Sequence, residues 1–247
     1  MPVMTRVRYV CFPGLGQSGD IVWPQRSLPF DVVGIDPIEP VAGESLRSYS
    51  HRLARRVRSR GLFAAPALTL LAGVSFGASI AQEIAEVEPC AGVLVLSGLL
   101  CSEELAAPLR YIGHRAHHAP AWSESLVDAG AAFALRRIAN VDRADATRCA
   151  AMIRSMPFGW IREQARMIAD WRGCGSPAPV LRVHGDRDPV VPFDSARNVD
   201  VVLHGDRHLS SVARADEVNA AIVAFAARVV ARPGTVPARV ASAQRHR

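Results

Sequence analysis

Leu68-Thr69-Leu70-Leu71-Ala72-Gly73-Val74-Ser75-Phe76-Gly77 is the stretch on which the fold turns. Leu68 to Ala72 is a short apolar run of the length of a buried strand, and a helix is expected from Phe76, with Ser79 to Val87 helical in pattern. Between them, Gly73-Val74-Ser75-Phe76-Gly77 fits G-x-S-x-G in the setting that pattern requires. The strand leads in, the helix leads out, and the serine sits on a sharp turn with its hydroxyl above the sheet. A glycine two residues before and another two after allow backbones to approach where a side chain would intrude. Ser75 is the candidate nucleophile.

Outward from this stretch, apolar runs alternate with periodic segments. Val7–Phe12, Asp31–Asp36, Gly92–Leu96, Val180–Val183 and Val199–Leu203 read as strands. Ser45 to Arg58 reads as a helix on Leu46, Tyr49, Leu53 and Val57, and Asp216 to Val230 as another on Val218, Ile222, Phe225 and Val229. Such alternation predicts an α/β fold with a mostly parallel sheet flanked by helices. From about 98 to 175, buried strands give way to helical spacings such as Ile161, Gln164, Ile168 and Trp171. That stretch is expected to be a helical cap inserted between two strands of a domain spanning 1–230. The remainder, 231–247, has two prolines and no apolar period, and is expected to be a basic, disordered tail.

Composition narrows the chemistry. All 29 Lys+Arg residues are arginine, so no Schiff-base lysine, Ser–Lys dyad or P-loop lysine can exist here. Of the net charge of +6, four positive charges (Arg232, Arg239, Arg245, Arg247) lie in the tail, and 6 − 4 leaves the body near +2. With no basic stripe interleaved with aromatics, a nucleic-acid partner is not expected. The five cysteines are scattered without a C-x-x-C spacing, which speaks against a disulfide framework or a zinc site and for a reducing, cytoplasmic compartment. No signal-peptide pattern and no apolar stretch of about eighteen residues is seen, so no membrane span is expected. His114, His117 and His118 approach metal-ligand spacing but lack acids or cysteines beside them, and are taken as ordinary cap residues. Trp122, Trp160 and Trp171 are expected to be cap core.

A serine hydroxyl needs a base and the base needs an orienting acid, in the chain order serine, acid, histidine for a strand–serine–helix elbow. Two strand ends supply them: His184-Gly185-Asp186-Arg187-Asp188-Pro189-Val190-Val191-Pro192, and His204-Gly205-Asp206-Arg207-His208-Leu209. His184 and His204 directly follow strands and are expected to pack there. Asp186 and Asp206 read as solvated loop carboxylates.

At these motifs the chain resembles the α/β-hydrolase fold family. HGDRDPVVP resembles the family's acid loop and GDRHL its terminal histidine turn, which implies Asp188 as the acid and His208 as the base. Phe12-Pro13-Gly14-Leu15-Gly16 resembles the oxyanion loop, with Pro13 where histidine is commoner, and implies the backbone N–H groups of Leu15 and Phe76 as the oxyanion donors. The resemblance covers residues 7 to 230. GVSFGA, GESLRSYSHRL and MIADW bring the chain nearest to small bacterial hydrolases, and VCFPG is similar to type II thioesterases that clear acyl carriers. What it implies is hydrolysis of a carboxylic ester or thioester through an acyl-serine, with a small-molecule acyl substrate or an acyl carrier as partner. No metal and no organic cofactor is implied.

Two other readings compete. Gly14-Leu15-Gly16-Gln17-Ser18-Gly19, with Asp36 ending the next strand, is a complete G-x-G-x-x-G dinucleotide fingerprint. It requires a helix from the third glycine, and the ten residues before Phe30 include Pro24 and Pro29, which leaves no room for one. The other is a non-catalytic binding protein on the same fold, which commonly betrays itself by losing a triad member.

Overall fold

The computed structural model describes residues 6–64, 68–119 and 123–231. Six strands form one sheet: β1 Val7–Phe12, β2 Asp31–Gly34, β3 Leu68–Val74, β4 Gly92–Leu96, β5 Val180–Gly185 and β6 Val201–Leu203. Their order is β2-β1-β3-β4-β5-β6 and every pairing is parallel. The chain goes outward from β1 to β2, then returns past β1 to lay down β3 and the rest on its other side. That reversal opens a crevice at the carboxyl ends of the strands.

Alternation along each strand splits the core into two layers. Tyr9, Cys11, Leu70, Ala72, Leu94 and Leu96 face one layer, and Val10, Phe12, Leu71, Val93 and Val95 the other. With both faces covered, the strands read as continuous apolar runs, as parallel strands must. The second layer is closed by α1 Leu46–Ser59 and α2 Phe76–Ala85. The Ser45 side chain caps α1 by accepting the Ser48 N–H, and Leu46, Tyr49, Leu53 and Val57 are all buried.

Between β4 and β5 the chain builds α3 Ala107–Arg115, α4 Ser123–Ala139, α5 Arg143–Ser155 and α6 Phe158–Asp170. α3 packs on α6, and α4 on α5. α7 Ser210–Ala213 and α8 Ala215–Val230 follow β6, and Val218, Ile222, Phe225 and Val229 of α8 close the first layer. Residues 232–247 of the expected tail, and Trp122, lie outside the described residues.

Two strands are shorter than their pattern. β2 stops at Gly34, because Asp36 turns to accept the Gly19 N–H on Oδ1 at 2.9 Å. β6 begins at Val201, since Asp200 is engaged across the edge with Arg182 at 2.7 Å. The glycine fingerprint also has a packing explanation. A Cβ on Gly34 would lie 1.9 Å from the Gly19 carbonyl oxygen. Gly19–Ser27 is a 3₁₀ segment interrupted by Pro24, so no α-helix N-terminus faces the loop. Among the described residues, no helix is long and apolar enough to cross a membrane.

Candidate active site

Ser75 stands between β3 and α2 at φ 52, ψ −117, a backbone conformation that L-residues rarely adopt. Close backbone packing imposes it. A Cβ on Gly73 would come within 2.1 Å of the Gly77 backbone, and one on Gly77 within 2.0 Å of the Phe12 carbonyl oxygen. The elbow is thus clamped between its own helix and the end of β1.

His208, in the loop after β6, brings Nε2 to 2.8 Å from Ser75 Oγ and Nδ1 to 2.7 Å from Asp188 Oδ2. With the Asp188 carboxylate accepting, Nδ1 carries the proton and Nε2 is free to accept from the serine. Asp188 is held in turn by the N–H groups of Val190 and Val191, both to Oδ1, at 2.8 and 3.0 Å. Burial alone would raise the Asp188 carboxyl. The His208 charge and hydrogen bond, the Val191 N–H and nearby His184 outweigh it and hold the group below the usual aspartate value. Asp188 remains an anion beneath the imidazole.

Leu15 and Phe76 are the anticipated oxyanion donors. Both line the same cavity as Ser75 and His208. Phe76 opens α2, so its N–H has no acceptor within the helix. The cavity has a volume of about 310 Å³ and lies over the carboxyl ends of the strands, beneath the cap. Among the described residues its walls are apolar apart from Ser75, His208 and Gln17: Leu99, Leu105 and Val190 come from loops, and Leu135, Ile153 and Ile168 from α4, α5 and α6. Trp160 and Trp171 do not line it; Trp171 is buried and its indole N–H donates to Glu83 at 2.7 Å.

Other sequence expectations fare unevenly. His184 is fully buried at the end of β5, with Nε2 donating to the Val191 carbonyl at 2.8 Å, so it packs under the acid loop as expected. Burial lowers its pKa. Asp206 is not a solvated carboxylate: the turn folds inward and leaves it 1% exposed, with neither carboxylate oxygen in a hydrogen bond of good geometry. Burial raises its pKa, tempered by the nearby Ser210 hydroxyl and Arg207 N–H. His204 does not pack against the sheet. Its side chain is 85% exposed and its Nδ1 meets Asp186 Oδ2 at 3.0 Å. His204 lies in the turn just beyond β6, a three-residue strand at the sheet edge whose last residue, Leu203, is the one that turns into the core. His114 pairs with Asp170 at 2.7 Å, and among the described residues no cluster of three His, Cys, Asp or Glu could hold a metal ion.

Two contributors from the cap gave no usable signal in the sequence. The Ile138 carbonyl accepts the His208 backbone N–H at 2.9 Å, and the Gln164 side chain accepts the Gly16 N–H at 3.0 Å. A carbonyl is present in every residue, and Gln164 fell on the apolar stripe of a helix.

No protein-family model and no curated protein sequence matches the chain. Solved structures do. An esterase from Thermogutta terrifontis superposes with a TM-score of 0.72 at 17% identity, covering 91% of each chain. MenH from S. aureus gives 0.68 at 15%, covering 93% of this chain and 96% of that one. The type II thioesterase BorB of a borrelidin biosynthetic cluster gives 0.65 at 19%, covering 90% and 94%. This chain has the α/β-hydrolase fold. Within that fold, the serine elbow after β3, the acid loop after β5 and the histidine loop after β6 all open on the same side of the sheet. The α/β-hydrolase sheet here is wholly parallel among the described residues, and helices α3 to α6 lie between β4 and β5.

Proposed function

We propose that the protein is a serine hydrolase that cleaves carboxylic esters or thioesters of medium-length aliphatic acyl groups. The observation that carries the reading is the unbroken hydrogen-bond chain from Ser75 through His208 to Asp188, set at the base of an apolar cavity. His208 Nε2 takes the Ser75 proton as Oγ attacks the substrate carbonyl carbon. The carbonyl oxygen becomes an oxyanion facing the Leu15 and Phe76 N–H groups. As the tetrahedral species collapses, the bond to the leaving group breaks and His208 returns the proton to it. Water then repeats the sequence on the acyl-serine, releasing the acid and restoring Ser75. Asp188 holds the imidazole tautomer throughout and balances its transient positive charge.

Among the described residues the cavity walls carry no charged side chain besides His208, so they favour a neutral hydrocarbon acyl chain and disfavour a carboxylate-bearing one. The domain would span 1–230 with its cap near 98–175, and 231–247 would follow as a basic tail. Five free cysteines support a cytoplasmic setting. An acyl carrier is the partner if the leaving group is a carrier thiol, as the type II thioesterase among the structural neighbours suggests.

Hydrolysis of esters from acetyl to dodecanoyl, beside the matching acyl-thioesters, tests the reading. Efficiency should peak at medium chains, and a fluorophosphonate should label Ser75 alone. Equal efficiency on acetyl and octanoyl esters would argue for an open site. An unlabelled serine and no turnover would instead favour a binding protein.

A further inference from the structure

The loop after β1 carries three consecutive backbone N–H groups, at Gly14, Leu15 and Gly16. Gly14 donates to Gln17 Oε1 at 3.0 Å, while Gln17 closes the turn with its own N–H on the Gly14 carbonyl at 3.1 Å. Gly16 donates to Gln164 Oε1, also at 3.0 Å. The first partner is local, but the second is 148 residues away on α6 of the cap. Gln164 is 1% exposed. Its orientation is dictated by what it meets: Gly16 offers only N–H, so the amide oxygen must face it. The amide nitrogen then points to Met156 Sδ at 3.6 Å, within the cap.

The cap also presses on this loop directly. Gly16 sits at φ +73, and a Cβ there would lie 3.3 Å from Ile153 Cγ1 and 3.6 Å from Ile161 Cδ1, one on α5 and the other on α6. With the peptide groups on either side tied to glutamine oxygens, the N–H between them, that of Leu15, is the one left for a substrate oxygen. We infer that Gln164 is a positioning residue, through which the cap sets the aim of the Leu15 N–H in the oxyanion hole. The same helix α6 lines the cavity with Ala165 and Ile168, so the wall that meets the acyl chain also holds the donor loop. This inference rests on the acyl-serine reading above.

Loss of the glutamine oxygen should therefore harm the step in which the oxyanion develops and spare ground-state binding. Gln164→Met keeps the volume without an oxygen acceptor. On an octanoyl ester, it is expected to lower kcat 10- to 100-fold, with KM within twofold and the melting temperature within a few degrees. Gln164→Glu keeps an oxygen in place. Relative to the native protein at the same pH, it should recover most of that kcat at acid pH, where the buried carboxyl is protonated, and lose it as pH rises and a negative charge forms beside the oxyanion loop. An unchanged kcat in Gln164→Met overturns the inference, as does a parallel fall of kcat and melting temperature. Should Gln164→Met fail to fold, the Gln164→Glu profile decides: a profile parallel to that of the native protein overturns it. Ser75→Ala, run beside them, separates the two levels. If Ser75→Ala still turns over, the acyl-serine reading fails; if it is dead while Gln164→Met is fully active, only the role of Gln164 fails.

Discussion

The same two loops build two His–Asp pairs. The loop after β5 supplies Asp186 and Asp188, and the loop after β6 supplies His204 and His208. The outer pair, His204–Asp186, spans 3.0 Å with side chains 85% and 27% exposed. The inner pair, His208–Asp188, spans 2.7 Å with side chains 6% and 0% exposed. Each aspartate also accepts backbone N–H groups: Gly205 for Asp186, and Val190 with Val191 for Asp188. Chemically the pairs are alike; they differ in what surrounds them. Around the outer pair, water screens the charge and competes for every polar atom. Around the inner pair the low dielectric strengthens the interaction, and the free imidazole nitrogen has a serine rather than solvent to meet. On the proposed reading, what makes the inner dyad a site is burial and a third partner, not its own hydrogen bond.

Substitutions in the inner pair and the serine it meets should cost most. Ser75→Ala and His208→Ala are each expected to lower kcat by about 10⁶, with the double variant scarcely worse, since residues acting as a unit are not additive. Asp188→Asn should cost about 10⁴, because an amide no longer fixes the tautomer with Nδ1 protonated. Steady-state rates on one ester rank them. An additive double variant, or a mild Asp188→Asn, would mean that the inner pair does not work as a unit.

A third carboxylate in these loops sharpens the contrast. Asp206 is buried like Asp188 but makes no ion pair among the described residues, and burial outweighs the pull of Arg214 to raise its pKa where that of Asp188 is lowered. The signs run opposite ways. Stability from a raised carboxyl is complete below the unfolded value of about 3.9 and is lost as pH climbs through the folded value. For Asp188 the contribution is present above about 3.9 and is lost as pH falls through its depressed value. At neutral pH an ionised Asp206 is therefore a burden. Asp206→Asn should raise the melting temperature at pH 7 by about 2–4 °C, on the order of 1 kcal/mol for a chain of this size, and the gain should vanish near pH 4. Thermal melts of both proteins across that range check it. No gain at pH 7 would mean that a donor reaches the Asp206 carboxylate.

Which of these features the sequence disclosed follows from their range. Ser75, Asp188 and His208 each lie just past a strand end, where local apolar runs and turn residues mark the place. The burial of Asp206 is different. It depends on the turn lying against Gly185, whose Cβ would come within 2.6 Å of the Asp206 and Arg207 carbonyls, and a local reading of Gly-Asp-Arg expects exposure. Gln164 meets Gly16 only once the cap has docked, so no local pattern announces it. Gly19 and Asp36, which imitate a dinucleotide site, bond to one another, which gives their spacing a backbone-packing explanation.

The outer pair should be nearly silent, and that silence makes the comparison informative. Asp186 is held below the usual aspartate value by its hydrogen bonds to His204 and the Gly205 N–H, but the pair sits in solvent where such interactions contribute little to stability. His204→Ala removes a side chain that touches neither Ser75 nor the cavity. Asp186→Asn keeps an oxygen for the Gly205 N–H, so the turn before His208 should hold its shape. Each variant is expected to stay within about threefold of native kcat and within about 1 °C in melting temperature, the scale of an exposed ion pair. Rates and melts taken beside His208→Ala measure the contrast directly. The discriminating outcome is a folded His204→Ala that loses activity while His208→Ala keeps it. The base would then lie on the outer pair, the register of the last loop would have to be redrawn, and burial would no longer explain which dyad serves the serine.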